Sequence, residues 1–254
     1  MDFLADFVIA ICNRGIIADS KCFVNLAGRD NIKMVFCPLT FCMEKNLMKI
    51  LFVYPEYPDT FWSFKHVLKF VSKKAAFPPL GLLTIAAMLP QEWEKKLIDM
   101  NAFGLKDKDI KWADYVFISA MITQKQSAKE VIERCNKLGV KVVCGGPVFT
   151  TGYEEFRGVD HFILGEAEDI FSQFVSDLKA DCVKKVYFSD NNNRPDMAKT
   201  PVPLWELINV KHYASMSIQY SRGCPYDCEF CDIIIMNGRV PRTKTVSQFL
   251  NFIK

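Results

Sequence analysis

From residue 48 onwards, short and nearly continuous apolar runs alternate with longer segments in which apolar residues recur every three or four positions. Short apolar runs rich in β-branched residues are typical of parallel strands that are buried on both faces. Such runs predict strands at 50–54, 96–100, 115–119, 141–144 and 161–164. The periodic segments between them predict amphipathic helices, among them 78–89, 125–138 and 166–178.

This alternation of strands and helices predicts an α/β fold. We expect a Rossmann-like (flavodoxin-like) doubly wound parallel sheet over 48–185, with its ligand site beyond the carboxyl ends of the strands. A polar, turn-forming stretch and several prolines predict a linker over 186–213. In the last segment, 214–254, an apolar run at 216–220 predicts a strand, and 245–253 predicts a helix.

Residues 1–47 differ from the rest because they show no sustained helical or strand periodicity. The cysteines in this stretch lie at spacings that match no metal motif. The first strand-like run begins at Met48. We therefore treat 1–47 as an extension of uncertain status, with the hypothesis that Met48 is the natural start of the protein.

The most informative feature of the composition is the number of cysteines. The 254 residues have a formal net charge of only +3, so charge gives no indication of a nucleic-acid partner. Ten cysteines suggest disulfides in a secreted protein, and metal binding or catalysis in a cytosolic one. The N-terminus is acidic where a signal peptide needs positive charge, and the apolar run 7–12 is too short to span a bilayer. We therefore predict a cytoplasmic protein without a transmembrane segment.

Three cysteines form one tight group, Cys224, Cys228 and Cys231, directly after the predicted strand 216–220. Their C-x3-C-x2-C spacing allows three thiolates to hold three irons of a [4Fe–4S] cluster, and it leaves the fourth iron without a protein ligand. An open iron can bind the amino and carboxylate groups of S-adenosylmethionine (SAM), and the ring of Phe230 could pack against the adenine. Zinc is an alternative, but it would need a fourth ligand, and no cysteine follows Cys231.

This spacing, with phenylalanine before the third cysteine, resembles the radical SAM superfamily. The wider stretch 216–224 resembles its cobalamin-binding subgroup, and residues 48–254 are most similar to the enzymes related to hopanoid methylases. The resemblance implies a cluster that reductively cleaves SAM, and a cobalamin that delivers a methyl group to an unactivated carbon. A small-molecule or lipid-like substrate and an electron donor such as flavodoxin or ferredoxin are the partners it implies.

Cobalamin-binding Rossmann-like domains carry the pattern D-x-H-x-x-G, then S-x-L, then G-G. The matching residues follow successive predicted strands: Asp99, Asn101, Gly104, Ser119, Gly145 and Gly146. The resemblance implies that they surround the corrin and its nucleotide tail. Asn101 replaces the histidine that would ligate cobalt, and an amide is a poorer cobalt ligand than imidazole. The alternative is a flavodoxin-like domain that has lost its ligand or binds another nucleotide.

Two acidic residues, Glu166 and Glu168, follow the fifth predicted strand. For Glu166 two interpretations stay open. The resemblance implies a turn beside the corrin, whereas a helix beginning here would place the carboxylate in its first turn, where the helix dipole favours negative charge. The helix interpretation is favoured for Glu168.

The last segment is short for a catalytic domain. A radical SAM domain is a partial barrel of six βα units, which by proportion with the eight-unit barrel needs roughly 190 residues. Residues 214–254 would supply only the first βα unit, without any residue that we predict to be catalytic. We therefore expect a C-terminally truncated fragment of a cobalamin-dependent radical SAM enzyme. The alternative is a non-catalytic cobalamin-binding module with a remnant iron–sulfur loop.

Overall fold

Six parallel strands form the centre of the fold in the computed structural model, which describes residues 47–60, 65–190 and 194–252. They are Lys49–Tyr54 (β1), Glu94–Asp99 (β2), Tyr115–Ser119 (β3), Lys141–Gly145 (β4), His161–Leu164 (β5) and Val186–Phe188 (β6). The sheet order is β2-β1-β3-β4-β5-β6, and every neighbouring pair is parallel. The predicted α/β class with a doubly wound sheet is confirmed. Apart from residue 47, the predicted extension 1–47 lies outside the described residues.

Short helices connect these strands. They are Lys65–Phe70 (α1), Leu80–Met88 (α2), Asp107–Trp112 (α3), Lys125–Lys137 (α4), Pro147–Gly152 (α5) and Phe171–Lys179 (α6). Two further helices, Ile233–Asn237 (α7) and Val246–Asn251 (α8), lie beyond the sheet. No helix in the described part of the chain has the length and apolar character that a membrane crossing requires.

The core has two layers, one on each face of the sheet. Leu51 and Val53 of β1 pack in one layer, together with the apolar side of α4. Ile50 and Phe52 point to the other layer, which also contains buried residues of α2 and α6. Successive residues of a strand face opposite sides of a sheet. Helices cover both faces, which is why the central strands β1, β3 and β4 are nearly continuous in apolar residues.

Two predicted elements have different bounds in the structure. The helix predicted over 166–178 begins only at Phe171, because the preceding turn closes on Ala167, whose carbonyl accepts from the Phe171 N–H at 2.8 Å. Strand β6 was not predicted, and it lies within residues that the sequence analysis assigned to the linker. It is a three-residue edge strand in which only Tyr187 is buried, so it has no apolar run to signal it.

The predicted strand over 216–220 is wrong. In its place Ser221–Arg222 (β7) pairs in antiparallel fashion with Arg242–Thr243 (β8). A strand needs a neighbour for its N–H and C=O groups along its length, and in the described part of the chain no strand pairs with 216–220. The Tyr220 carbonyl does accept from the Lys244 N–H at 2.9 Å, which extends the β7–β8 pair by one bond. The first βα unit of a barrel is therefore not seen, and the segment after 213 contains a short hairpin instead.

The aromatic packing of α6 predicts a large effect on stability. Phe174 is fully buried against the rings of Phe117, Phe171 and Tyr187. Phe174→Ala removes these contacts and leaves a cavity, so we expect the free energy of unfolding to fall by about 3–5 kcal/mol. Phe70→Ala is the matched control, because this ring is 89% exposed, and it should change stability by less than about 0.5 kcal/mol. Urea denaturation measures both; equal midpoints would contradict the assigned core.

Candidate functional site

A cavity of about 570 Å³ opens at the carboxyl ends of the central strands. Its wall combines the ends of β3 and β4, the start of α2, the turn after β5 and parts of the segment 217–237. This is where a doubly wound sheet is expected to bind a ligand, since the chain direction of the crossovers reverses between β1 and β3. The cavity is therefore shared between the sheet and the segment that contains the cysteine loop.

Three of the predicted cofactor-binding residues meet in this cavity. The β3–β4 register places Ser119 opposite Gly145, and Gly146 follows directly. Gly146 has a φ of +93°, which favours glycine, and a Cβ there would lie 2.4 Å from Ser119 Oγ. A Cβ at Gly145 would lie 2.9 Å from the Ile163 carbonyl oxygen. Neither position has room for a side chain, so these strand ends can pack this closely only with glycine.

The side chain of Asn101 is occupied by contacts within the protein. Its Nδ2 donates to the Pro55 carbonyl at 3.1 Å and to Asp99 Oδ1 at 2.7 Å, and its Oδ1 accepts from the Tyr57 N–H at 2.8 Å. Asn101 therefore ties the loop after β1 to the end of β2. Gly104 lies in the same turn, but a Cβ there would meet nothing within 4 Å, so packing does not require glycine at this position.

Asn101 lines a second cavity of about 500 Å³, which shares Tyr54 and Tyr57 with the first. The two phenol oxygens lie 2.6 Å apart. Burial raises the pKa of both tyrosines, so both remain neutral at ordinary pH. Asp99 is 1% exposed, and burial also raises its pKa against the opposing effect of its hydrogen bonds from Asn101. These tyrosines were not among the predicted site residues; the position of Tyr54 at the end of the first strand was the available signal.

The three cysteines of the predicted cluster lie on the loop between β7 and α7. Cys224 and Cys231 are partly buried, and Cys228 is exposed. The loop is closed at its base by the β7–β8 pair and by the Cys224 N–H, which donates to the Gly238 carbonyl at 3.0 Å. Gly223, with a φ of +90°, would place a Cβ 2.3 Å from the Val240 carbonyl oxygen. The backbone beside the first cysteine is thus fixed by a close approach that requires glycine.

The donor set of this loop suits an iron–sulfur cluster, because three thiols at short spacing are its ordinary protein ligands. Within the described ranges, no three metal-ligating side chains already converge on one point. Phe230 is 92% exposed beside these cysteines, so its ring is accessible to a ligand.

Glu166 and Glu168 pair with arginines of the C-terminal segment. Glu166 Oε1 accepts from Arg242 Nη2 at 2.5 Å and from Arg194 Nη1 at 3.2 Å, and its Oε2 accepts from Arg222 Nη1 at 2.9 Å. Glu168 Oε1 forms an ion pair with Arg222 Nη2, and the two atoms lie 2.6 Å apart. Neither glutamate lies in the first turn of α6, so the helix-dipole interpretation is wrong for both. The sequence analysis did not identify these arginines.

These carboxylates are buried yet ionised. Burial would raise the pKa of Glu166, but hydrogen bonds from Arg242 and Arg222 outweigh it and hold the pKa below its ordinary value. For Glu168, burial is likewise outweighed, mainly by Arg222. Arg222 has a raised pKa, because the contacts with Glu168 and Glu166 exceed the effect of its burial. The pairs are therefore fully charged at neutral pH.

Comparisons with known proteins identify a cobalamin-binding domain and several methyltransferase relatives. Residues 70–175, which include the ends of β2, β3, β4 and β5, match the family of the B12 binding domain. The chain is 42% identical over 205 residues to an uncharacterised methyltransferase of Synechocystis sp., covering 80% of this chain and 38% of that protein. It is 38% identical over 206 residues to the hopanoid C-2 methylase of Rhodopseudomonas palustris, covering 80% and 39%.

A more distant relative is the bacteriochlorophyllide d C-12(1)-methyltransferase of Chlorobaculum tepidum, 24% identical over 187 residues, with 71% of this chain and 41% of that protein covered. The chain spans about two fifths of the length of these three relatives. The matched domain and the matched relatives confirm the resemblance to cobalamin-binding, hopanoid-methylase-like proteins that the motifs indicated.

Proposed function

We propose that this chain is the part of a cobalamin-dependent radical SAM methyltransferase that holds both cofactors. The observation that carries the proposal is one cavity with two kinds of wall. Ser119, Gly145 and Gly146 of the B12-binding domain line one side, and Gln219 and Arg222, which precede the cysteine loop, line the other. The reaction class is supported by the relatives, which are named as methyltransferases and a methylase.

Cobalamin would be held at the carboxyl ends of the strands. The hydroxyl of Ser119 offers a hydrogen bond, and Gly145 and Gly146 allow the backbone to approach a bound nucleotide tail. We assign Asn101 a different role from a cobalt ligand, because its amide already holds the loop after β1. Asp99 orients that amide through Oδ1, and Gly104 follows the turn that contains Asn101. When bound, cobalamin supplies the methyl group for transfer.

Cys224, Cys228 and Cys231 would hold three irons of a [4Fe–4S] cluster. When the cluster and SAM are both bound, the cluster supplies the electron for reductive cleavage of SAM. Phe230, accessible beside the third cysteine, would cover the adenine. An external donor of the flavodoxin or ferredoxin class would reduce the cluster in the cytoplasm. The substrate is a small or lipid-like molecule, in keeping with a hopanoid methylase among the relatives.

A second candidate function is a non-catalytic cobalamin-binding module with a remnant iron–sulfur loop. The exposure of Cys228 and Phe230 favours it, because nothing in the described residues covers that side of the loop. The two candidate functions differ in whether the protein forms 5′-deoxyadenosine from SAM. Formation of 5′-deoxyadenosine from SAM by the anaerobically reconstituted, reduced protein supports the enzyme, whereas corrinoid binding without that product supports the module.

The cobalamin site is tested by Gly146→Ala. The added Cβ would collide with Ser119 Oγ, so we expect the dissociation constant for hydroxocobalamin to rise by about tenfold or more. Gly139→Ala is the matched control, since Gly139 also has a positive φ, +71°, but a Cβ there meets nothing within 4 Å. Both variants place alanine at a positive φ, and of the two glycines only Gly146 lines the cavity. Titration followed by absorbance measures the affinities, and equal values would contradict the site.

The cluster site is tested by anaerobic reconstitution with iron and sulfide. We expect about four irons and four sulfides per chain, because three thiolates support a cubane cluster. Replacement of Cys224, Cys228 or Cys231 by alanine should lower both contents to less than about half. Cys182→Ala is the control, because Cys182 is an exposed thiol outside the loop. Contents that do not respond to the three loop variants would exclude this site.

A further inference from the structure

We propose that Glu166 is a positioning residue that holds the cysteine loop over the carboxyl end of the B12-binding sheet. This inference rests on the proposed function and adds to it the group that fixes the two cofactor sites relative to each other. Glu166 lies on the turn after β5 and lines the shared cavity. Its carboxylate, with a side chain only 5% exposed, is the point where three arginines from outside the sheet converge.

Two of these arginines lie on the hairpin that closes the cysteine loop, one on each of its strands. Arg222 belongs to β7, two residues before Cys224, and Arg242 belongs to β8. Arg242 binds Glu166 in bidentate fashion, with Nη1 at 3.0 Å from Oε2 and Nη2 at 2.5 Å from Oε1. A bidentate pair fixes orientation as well as distance. Glu166 therefore holds both ends of the loop through one carboxylate.

The third arginine links the same carboxylate to the other side of the loop. Arg194 Nη1 contacts Glu166 and also donates to the Met236 carbonyl at 2.5 Å, and its Nη2 donates to the Ile235 carbonyl at 3.3 Å. These carbonyls belong to α7, the helix that follows the three cysteines. Strand β7, which precedes the cysteines, and α7 and β8, which follow them, are thus all connected to one residue of the B12-binding domain.

Glu166 is itself held rigidly. The Gly165 N–H donates to Thr150 Oγ1 and the Glu166 N–H donates to Ser189 Oγ, both at 3.1 Å. Gly165 has a φ of +87°, and a Cβ there would lie 2.0 Å from Ser189 Oγ. Hydrogen bonds donated to the hydroxyls of Thr150 and Ser189, together with the glycine turn, therefore hold the carboxylate towards the hairpin.

An anion-binding site is the competing explanation for three clustered arginines, but the terminal nitrogens of Arg222 and Arg242 already donate to protein acceptors. Arg222 donates through Nε to Gln219 and through its two terminal nitrogens to Glu166 and Glu168. The terminal nitrogens of Arg242 also donate to the carbonyls of Pro195 and Asn237. Arg242 Nε is buried and has no hydrogen-bond partner among the described residues, but a single donor is not a fork that could hold an anion.

Hydrogen exchange on the full chain tests the positioning role. Glu166→Gln keeps the size of the side chain but removes its charge, and it leaves buried arginines without their partner. We expect backbone amides in 219–244 to exchange on the order of 100-fold faster, with no change in β1 to β5. Glu155→Gln is the matched control, because Glu155 is an exposed glutamate paired with Lys125, and it should change nothing.

Arg242→Gln provides a second variant that alters the hairpin and not the sheet. It should accelerate the same amides, and it decides the question if Glu166→Gln also unfolds the sheet. Exchange at the wild-type rate in Arg242→Gln, or in a folded Glu166→Gln, would overturn the proposal. So would rapid exchange throughout 219–244 in the wild type. This measurement needs neither cofactor, so it remains decisive if the protein fails to bind cobalamin or a cluster.

A spectroscopic readout then separates positioning from mere stability. In protein loaded with cob(II)alamin and a reduced cluster, both paramagnetic, we expect electron paramagnetic resonance to show a magnetic interaction between them. Glu166→Gln should lose that interaction while its iron and corrinoid contents stay at wild-type values. An interaction of undiminished strength in the variant, or none in the doubly loaded wild type, would overturn the role of Glu166.

Discussion

The fold depends on one constraint: the six parallel strands must be covered on both faces. Parallel strands need long crossovers, and helices that serve as crossovers supply the cover. All six carboxyl ends then lie at one edge, and the change of crossover direction between β1 and β3 leaves a crevice there. The cavity and the B12 motif residues occupy this edge because the backbone places every strand end there.

Strand burial also explains which elements could be predicted from the sequence. Strands β1, β3 and β4 have almost uninterrupted apolar runs, as Ile50 to Val53 illustrate, and these runs identify them without knowledge of their neighbours. The edge strand β6 buries only Tyr187, so it gives no such signal. The apolar run 216–220 resembled a strand, but a strand also requires a neighbour with free hydrogen-bonding groups, and composition cannot supply that information.

The residues of the candidate site likewise fall into those that could be predicted from the sequence and those that could not. Ser119, Gly145 and Gly146 were predictable because each follows directly from the end of its own strand, and strand register then brings them together. The contacts of Asn101 were not predictable, because they join residues 44 and 46 positions apart in the sequence. The Glu166–Arg242 pair spans 76 positions, and neither residue is distinctive in its local sequence. Local pattern predicts where a site lies, whereas pairing across the fold determines what its side chains do.

The choice of charged residues at this junction is informative in itself. Burying three guanidinium groups against two carboxylates carries a desolvation cost that well-packed apolar residues would avoid, so stability alone does not explain the arrangement. Ion pairs fix an orientation, which apolar contacts do not. A guanidinium fork donates to both oxygens of a carboxylate in only a few orientations. An apolar junction would allow the hairpin to slide over the sheet. A charged junction centred on Glu166 specifies one placement of the cysteine loop, which is what two cofactors acting on one substrate would require.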